Sequence, residues 1–573
     1  MRAGSRLALL ALVFSILTPA AAQASFGFLP GDAGMSAGAK DDGGVAAATL
    51  AGSHPYSVVT EANFNKVGES PDGDLRNLAI EMPAGLIENP TAVPKCSLGE
   101  LATPRNSPFE TSLSGENCLA ASQIGTITLK TFRGKAETRT FGVFNLAPPP
   151  GSLLTMAFSP YGVPVIATSR LRDLNQDYGT TLSLENFPRQ LHVTGFRLII
   201  WGTPWAFVHS FQRGNCLNEG EPSFGWSKCK VKDAEVTHTV QPYLTLPVSC
   251  QEPLAFQVRA TSWQQPDPVQ RTATSPPLQG CDELPFAPIP SARLSSDRTT
   301  STTGFDFTLD GSSRQLLDPQ LRATSQAKKA VVRLTEGMTV NPSVASGLGT
   351  CSEAQYASET VSARPGEGCP NDSKVGDLTI ESPLHEGRIE GAMFFATPRQ
   401  NPFGTLLALY MVAKDSESGI LVKVAGRVDS DPETGRLTAT FDDLPQLPYA
   451  HFNLHLREGQ RSPLATPPAC GAYATEVDVV PWRDPSKGLH VGLPFSLTAG
   501  IGGGPCPQGA IAPFAPKSMA GTINSNAGSY SPFYLHLTRA DNEQEITSYS
   551  AQLPRGLLGS IAHIPFCSEA QID

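Results

Sequence analysis

One segment of the sequence combines aromatic and basic side chains in a way that suits ligand recognition. It spans residues 201–240 and is missing from the second copy of an internal repeat described below. Flat aromatic faces bury a large apolar area at a small entropic cost, as carbohydrate- and protein-binding loops require. An insertion of this length also needs aromatic side chains for a core of its own, so both interpretations stay open. The candidate ligand-binding residues are Trp201, Trp205, His209, Arg213 and Trp226.

Two acidic turns form a second candidate site, for a metal ion. The first contains Asp173 and Asp177, and the second contains Asp429, Asp431 and Glu433. Clustered carboxylate oxygens suit Ca²⁺, which is abundant outside cells. The same composition is also typical of an ordinary β-turn, and neither turn has the twelve-residue spacing of an EF-hand. Calcium at these turns is therefore a hypothesis, and we predict no other cofactor.

His451 and His455 have the i, i+4 spacing of a zinc-binding helix. The residues between and after them alternate between polar and apolar, which favours a strand, and no third ligand is evident. The sequence also lacks the G-x-S-x-G, H-E-x-x-H, P-loop and G-x-G-x-x-G motifs. We assign no catalytic residue and expect a protein that is not an enzyme.

The eleven cysteines indicate an oxidised, disulfide-bonded chain, because no C-x2-C pair suggests zinc. If equivalent cysteines of the repeat pair in the same way, five disulfides follow. These are Cys96–Cys118, Cys216–Cys229, Cys250–Cys281, Cys351–Cys369 and Cys470–Cys506. Cys567 remains unpaired, since its partner is expected about 20 residues further on. We interpret this as a third unit that is cut short, with a free thiol as the alternative.

The elements that position these residues come from one stretch that occurs three times, at 82–102, 334–357 and 553–573. Each copy predicts a strand with alternating inward residues, then a glycine turn, and then a cysteine directly followed by a short capped helix. The inward residues are Leu78, Ile80 and Met82, then Ala330, Val332 and Leu334, then Tyr549, Ala551 and Leu553. The turn glycines are Gly85, Gly337 and Gly556, and the N-caps are Ser97, Ser352 and Ser568.

The repeat extends well beyond this stretch and gives units of about 215–255 residues, each with a shorter A part and a longer B part. The predicted divisions are a signal peptide (1–24), a flexible lead-in (25–50), modules A1 (51–120) and B1 (121–290), modules A2 (291–375) and B2 (376–516), and a truncated module A3 (517–573). With 52 Gly, 50 Pro and only 17% charged residues, the chain favours strands and turns. We predict an all-β fold of tandem antiparallel β-sandwich modules, Ig-like or Greek-key-like, with short helical turns.

The first residues have the pattern of an export signal. Arg2 and Arg6 precede the apolar run Leu7–Leu17, and a small-residue cleavage site follows, with cleavage expected after Ala24. The run is too short to span a bilayer, and no later segment is long enough, so the mature chain should lack a membrane span. The formal charge of −10 argues against nucleic acid as the partner. We expect a secreted or cell-surface protein whose partner is a glycan or a cell-envelope component.

Several short motifs resemble those of large exported bacterial repeat proteins without an assigned activity. The motifs are S-H-P-Y at 53–56, L/M-P-x-G-L, C-S-x-A-Q, C-P-x-x-S-x-V-G at 369–376, W-G-x-P at 201–204 and N-P-F-G at 401–404. Copy one departs from the pattern where Leu119 replaces the proline after Cys118. The resemblance implies β-sandwich-like modules in a surface-associated array, and transfers no catalytic residue. We expect a non-enzymatic structural or adhesive protein. The alternative is a secreted glycan-binding or carbohydrate-active protein that acts through the insertion.

Overall fold

The computed structural model describes most of the chain between Phe26 and residue 565. The described ranges are 26–102, 118, 120–173, 177–213, 217, 240–312, 314–341, 347–506, 514–540, 543–544, 546–559 and 564–565. Within these ranges the secondary structure is nearly all β, which confirms the predicted class. The three α-helices are α1 (Leu98–Ala102), α2 (Arg314–Leu317) and α3 (Glu353–Ala357). None of the helices in these ranges has the length and apolar character needed to cross a bilayer.

The first unit contains the strands up to residue 274. They are β1 (Met35–Asp41), β2 (Ala46–Ala47), β3 (Ser57–Asn63), β4 (Lys66–Val67), β5 (Ser70–Pro71), β6 (Leu75–Glu81), β7 (Ile87–Glu88), β8 (Gln123–Phe132), β9 (Ala136–Leu146), β10 (Leu154–Phe158), β11 (Val165–Leu171), β12 (Thr180–Leu184), β13 (Val193–Trp201), β14 (Leu244–Thr245), β15 (Ala255–Ser262) and β16 (Val269–Thr274).

The second unit follows directly, and a single hairpin comes after it. The strands are β17 (Ile289–Leu294), β18 (Thr302–Thr303), β19 (Phe305–Asp310), β20 (Ala327–Arg333), β21 (Thr339–Val340), β22 (Lys374–Glu381), β23 (Arg388–Phe395), β24 (Leu407–Asp415), β25 (Ile420–Ser430), β26 (Leu437–Phe441), β27 (His451–Leu456), β28 (Leu464–Ala465), β29 (Gly471–Pro481) and β30 (Leu489–Leu497), then β31 (Lys517–Thr522) and β32 (Phe533–Thr538).

Both units have one large antiparallel sheet with the same strand order. The first sheet runs β16-β15-β6-β12-β11-β10-β9-β8-β13-β3-β1, with β2 added at its edge. The second, followed from its far end, runs β30-β29-β20-β26-β25-β24-β23-β22-β27-β19-β17. In each sheet the first strand approaches the last, β1 against β16 and β17 against β30. Large twisted sheets curl in this way, and each one here forms a shell around an apolar interior.

The repeated stretch folds as predicted in the first two copies. Gly85 and Gly337 have φ values of 76° and 80°, in the left-handed region where a side chain would be strained. Ser352 caps α3 in a reciprocal capping box with Gln355, and the Ser97 side chain accepts from the Glu100 N–H at 3.2 Å. Ser568 lies outside the described residues.

Four disulfides brace the two shells in equivalent places. They are Cys96–Cys118 and Cys250–Cys281 in the first unit, and Cys351–Cys369 and Cys470–Cys506 in the second. This is the pairing that the repeat predicts. Cys216, Cys229 and Cys567 lie outside the described residues, so their pairing stays a prediction.

The segment 25–50 is not the flexible lead-in that we expected. It contains β1, whose residues 35–40 pair with β3 from Met35↔Ala62 to Lys40↔Ser57. The inward positions include Met35 and Ala39, which are buried. Small residues such as Ala and Gly give a weak hydrophobic alternation, and the pairing with β3 stabilises a strand that local pattern does not reveal.

Strands from the A and B parts lie in the same sheet, since β6 pairs with β12 on one side and with β15 on the other.

The third copy of the repeated stretch does not fold like the first two. Tyr549, Ala551 and Leu553 are exposed and form no strand, contrary to the prediction. The equivalent strand β20 pairs with β26 and β29, both of which come later in the chain. The third copy has no counterparts of these two strands among the described residues, so its apolar alternation has nothing to pair with.

Candidate functional site

The interior of the second shell contains a cavity of ≈ 380 Å³. Its walls are the inward faces of the long strands, and most of the lining side chains are aliphatic. Typical wall residues are Val332, Ile389, Leu409, Val424, Ala439 and Leu454. Small-molecule sites in proteins have volumes of roughly 300–1,000 Å³ and mostly apolar walls with a few polar groups. The cavity therefore has the size and character of a binding site.

The first shell has the same strand order, and its buried residues form one large core cluster. The segment that contains β14 contributes Tyr243, Leu244 and Leu246 to this core, where each is at most 2% exposed. The equivalent segment of the second unit, at β28, has Pro463 and Thr466 in place of Tyr243 and Leu246. Inward residues of the second shell such as Val332 are only half-buried, because they face the cavity.

A cavity of this size lowers the stability of a folded protein. Residual cavities destabilise proteins by about 24 cal/mol per Å³, so ≈ 380 Å³ would cost on the order of 9 kcal/mol. That is comparable to the whole free energy of unfolding of an ordinary domain. A bound apolar molecule would recover much of this free energy, because it would restore the missing contacts.

The first unit closes one end of the cavity. Leu86, Ile87, Leu153, Leu171 and Tyr178 of the first unit lie in the wall. Backbone contacts hold the two units together there, including a 2.8 Å hydrogen bond from the Gly151 N–H to the Glu417 carbonyl. The cavity is thus a property of the pair of units and does not belong to the second shell alone.

Glu88 supplies a carboxyl group to this otherwise apolar wall. It follows Ile87 in β7, at the position that Val340 occupies in β21 of the second unit. The hydroxyl of Ser169 donates to its Oε2 over a long 3.5 Å. Burial raises the pKa of Glu88 to about 7, although hydrogen bonds from Thr180 and Ser169 act in the opposite direction. The group is therefore poised to exchange a proton near neutral pH.

Tyr178 joins the units beside this site. Its hydroxyl donates to the Lys423 carbonyl and accepts from the Lys423 N–H at 3.0 Å. The ammonium group of Lys423 then donates to the carbonyls of Ala357 at 3.1 Å and Glu359 at 3.2 Å, at the end of α3. Burial lowers the pKa of Lys423, and nearby carboxylates partly offset that effect. One residue of β25 thus connects the first unit to the disulfide-braced helix of the second.

The aromatic insertion forms a compact cluster. The ring of His209 stacks on Trp201 at 4.7 Å between centroids, and the Arg213 guanidinium lies 4.9 Å from the Trp205 ring. All four side chains are buried. Burial, together with the charge on Arg213, lowers the pKa of His209 to about 3, so its imidazole is neutral at physiological pH.

This packing favours a local core beneath the insertion, and the described residues of the insertion that are exposed include Phe207 and Val208. Trp226 lies outside the described residues. Glycan recognition by the insertion stays a hypothesis.

The acidic turns use their carboxylates for internal hydrogen bonds. Asp177 pairs with Arg172 at 2.8 Å, and Asp429 pairs with Arg427 at 2.7 Å. Asp431 accepts from the Thr434 N–H at 2.8 Å, and such backbone hydrogen bonds lower its pKa. These are the contacts of an Asx-type turn.

Glu433 contributes its backbone N–H to the same Asp431 carboxylate, at 2.9 Å. Burial raises the pKa of Tyr178, and the negative charge of Asp173 adds to that rise. Calcium binding at the turns stays a prediction. Across the described ranges, no three His, Cys, Asp or Glu side chains come together as a metal site.

His451 and His455 lie on β27, as the alternation predicts, and each faces an aspartate on β19. His451 Nδ1 is 2.8 Å from Asp310 Oδ1, and His455 pairs with Asp306 in the same way. The two histidines therefore serve cross-strand pairing.

Sequence reasoning missed the cavity and Glu88 altogether. The available signal was a comparison of the two copies: Tyr243 and Leu246 lie beside β14, and the smaller Pro463 and Thr466 stand at the equivalent positions beside β28. Tyr178 offers a similar signal, because it replaces Thr434 of the second copy within otherwise similar turns.

No protein-family model matches the chain, and no curated protein matches it significantly. Among solved structures, one named BspA_C_WT shares 6% identity over 80% of this chain and 99% of its own, with a TM-score of 0.18. The C-terminal domain of the Streptococcus pyogenes antigen I/II-family protein AspA shares 8% identity over 80% and 98%, with a TM-score of 0.16. At these TM-scores the matches carry no argument about the fold or function of this chain.

Proposed function

We propose that this protein is a non-enzymatic structural or adhesive protein of the cell surface or the extracellular space. The observation that supports this most directly is the repetition of one shell: two units share an eleven-strand order and carry disulfides in equivalent places. Disulfides of this kind persist in oxidising compartments. Repetition with buried joints between units produces a stiff, extended element, which is what a surface array requires.

Several contacts between the two units favour a rigid arrangement of the pair. In addition to Tyr178, Arg322 of the second unit donates to the Ala51 carbonyl at 2.9 Å and pairs with Glu283 at 3.0 Å. Arg483 donates to the Asp282 carbonyl at 2.7 Å. Contacts at several separate points resist bending better than one flexible linker would.

Export is tested by producing the full chain in an export-competent bacterium beside a matched chain that lacks residues 1–24. The full chain should be digested by protease added to intact cells, or found in the medium, with its cysteines oxidised. The shortened chain should stay inside with free thiols. Retention of the full chain in the cytoplasm with reduced cysteines would contradict the proposal.

The mechanical role is tested by pulling single molecules of the full chain. Each shell should unfold in a separate event, because each has its own core. Reduction of these four disulfides should add roughly 180 Å to the extension released when each unit unfolds, since the loops they close span 22 and 31 residues in one unit and 18 and 36 in the other. The predicted Cys216–Cys229 disulfide would add roughly 45 Å more in the first unit. A chain that extends without resistance would not suit a load-bearing element.

A further inference from the structure

We propose that the cavity of the second shell is a binding site for an elongated aliphatic molecule with a hydroxyl head group. The site goes beyond a structural or adhesive role, because it gives the protein a specific small-molecule ligand. The aliphatic tail lies among the strands of the second shell, and the hydroxyl group contacts Glu88 at the end that the first unit closes.

The apolar walls of the cavity favour a ligand with an aliphatic tail. One water occupies about 30 Å³, so the cavity of ≈ 380 Å³ would hold about a dozen waters. Residues such as Leu409, Val424 and Leu454 offer those waters no hydrogen bonds. Apolar cavities of this kind stay dry and take up apolar molecules. An aliphatic chain of about a dozen carbons matches the space.

Two polar groups in the cavity wall determine which head group the ligand should carry. Glu88 accepts hydrogen bonds from Ser169, at a long 3.5 Å, and from Thr180, and a carboxylate with about four lone-pair sites can accept another. Gln446 lines the same cavity, and its Oε1 has no hydrogen-bond partner among the described residues. Both groups are acceptors in this arrangement, which calls for a donor on the ligand. A hydroxyl supplies that donor, whereas a hydrocarbon has none and a carboxylate would be repelled by ionised Glu88.

The binding experiment uses delipidated full-length protein and tritiated dodecan-1-ol, with dodecane and dodecanoate as comparison probes, at pH 8.5. We expect one dodecan-1-ol per chain, and at least tenfold weaker binding of dodecanoate, because Glu88 is ionised at that pH. Dodecane should also bind about tenfold more weakly, for want of a hydrogen bond. Absence of saturable dodecan-1-ol binding, or equal affinity for dodecane, would overturn the proposal.

Two neighbouring residues of β26 provide a matched pair of variants. Ala439 lines the cavity, while Thr440 is the next residue along the strand and points to the opposite face. Ala439→Phe should fill the space and abolish binding of dodecan-1-ol, and Thr440→Phe should leave the affinity unchanged. Circular dichroism and the melting temperature establish that both variants fold. Unchanged binding by a folded Ala439→Phe protein would place the ligand elsewhere.

Glu88→Leu tests the head group separately from the tail. The substitution removes the acceptor and keeps an aliphatic side chain of similar length. Affinity for dodecan-1-ol should fall about tenfold, and affinity for dodecane should stay the same or rise. Equal losses for both probes would mean that Glu88 supports the wall and does not recognise a hydroxyl.

Discussion

The Tyr178 hydroxyl of the first unit bonds both backbone groups of Lys423 in the second unit, donating to the carbonyl and accepting from the N–H at 3.0 Å. Tyr178 itself is buried and has a φ of 57°, so the turn holds it in a conformation that few non-glycine residues adopt. This contact lies where the first unit closes the cavity of the second. The contact that joins the two units is therefore also part of the candidate site.

Tyr178→Phe should weaken the joint. The substitution leaves two buried backbone groups of Lys423 without that partner, which costs about 1–3 kcal/mol. Urea denaturation should show this loss, and the amide hydrogen of Lys423 should exchange faster with solvent. The control is Tyr161→Phe, since the Tyr161 hydroxyl donates to Glu137 of its own unit, at 3.2 Å. Equal effects from both substitutions would show that the Lys423 contact has no special role.

Glu88 should make stability depend on pH between its unfolded and folded pKa values. Its folded pKa is about 7 and its ordinary value is 4.5, so the folded state holds the proton more tightly. The free energy of unfolding should therefore fall as pH rises from about 4.5 to 7, by on the order of 3 kcal/mol. Below pH 4.5 both states are protonated and the penalty is absent.

This dependence is measured as the difference in unfolding free energy between the native chain and Glu88→Gln, at several pH values from about 4 to 8. The other titratable groups beside Glu88 or in the same cavity remain in both chains and cancel from the difference. They are Tyr178, Tyr243, His385 and Tyr449. A difference that does not change with pH would mean that Glu88 is solvated in the folded state.

Elements that depend on local pattern could be predicted from the sequence. The strand that contains Leu78 and Ile80, the glycine turn at Gly85 and the Ser352 cap all depend on residues within a few positions of one another. The disulfide pairing could also be predicted, because equivalent cysteines in the two copies of the repeat should pair in the same way.

Features that depend on distant residues could not be predicted. The cavity exists because side chains from many strands, such as Val332 and its partner Ala439, leave space between them. A local sequence pattern does not show whether the inward side chains together fill the interior of the shell. The strand predicted at Tyr549–Leu553 fails for a related reason, since alternation becomes a strand only where a partner strand lies beside it.

The disulfides should be reduced in an order set by access. Cys351 and Cys369 are both 0% exposed, whereas Cys470 and Cys506 are half-buried near the surface. A thiolate must reach the sulfur that it attacks, so dithiothreitol should open Cys470–Cys506 first and Cys351–Cys369 last. Alkylation at timed intervals, followed by peptide mass spectrometry, would give the order. Early loss of the buried pair would mean that the second shell opens readily.

The aromatic insertion should contribute to stability through Trp205. Its ring is buried beneath the Arg213 guanidinium at 4.9 Å, so Trp205→Ala should lower the unfolding free energy by about 3–5 kcal/mol. The control is Phe207→Ala, whose side chain is 76% exposed and whose loss should change stability by less than about 0.5 kcal/mol. Urea denaturation gives both values, and a glycan array on the same proteins separates the two interpretations of the insertion. If Trp205→Ala keeps full stability and loses glycan binding, the cluster is a recognition site, because a residue that only packs cannot produce that result.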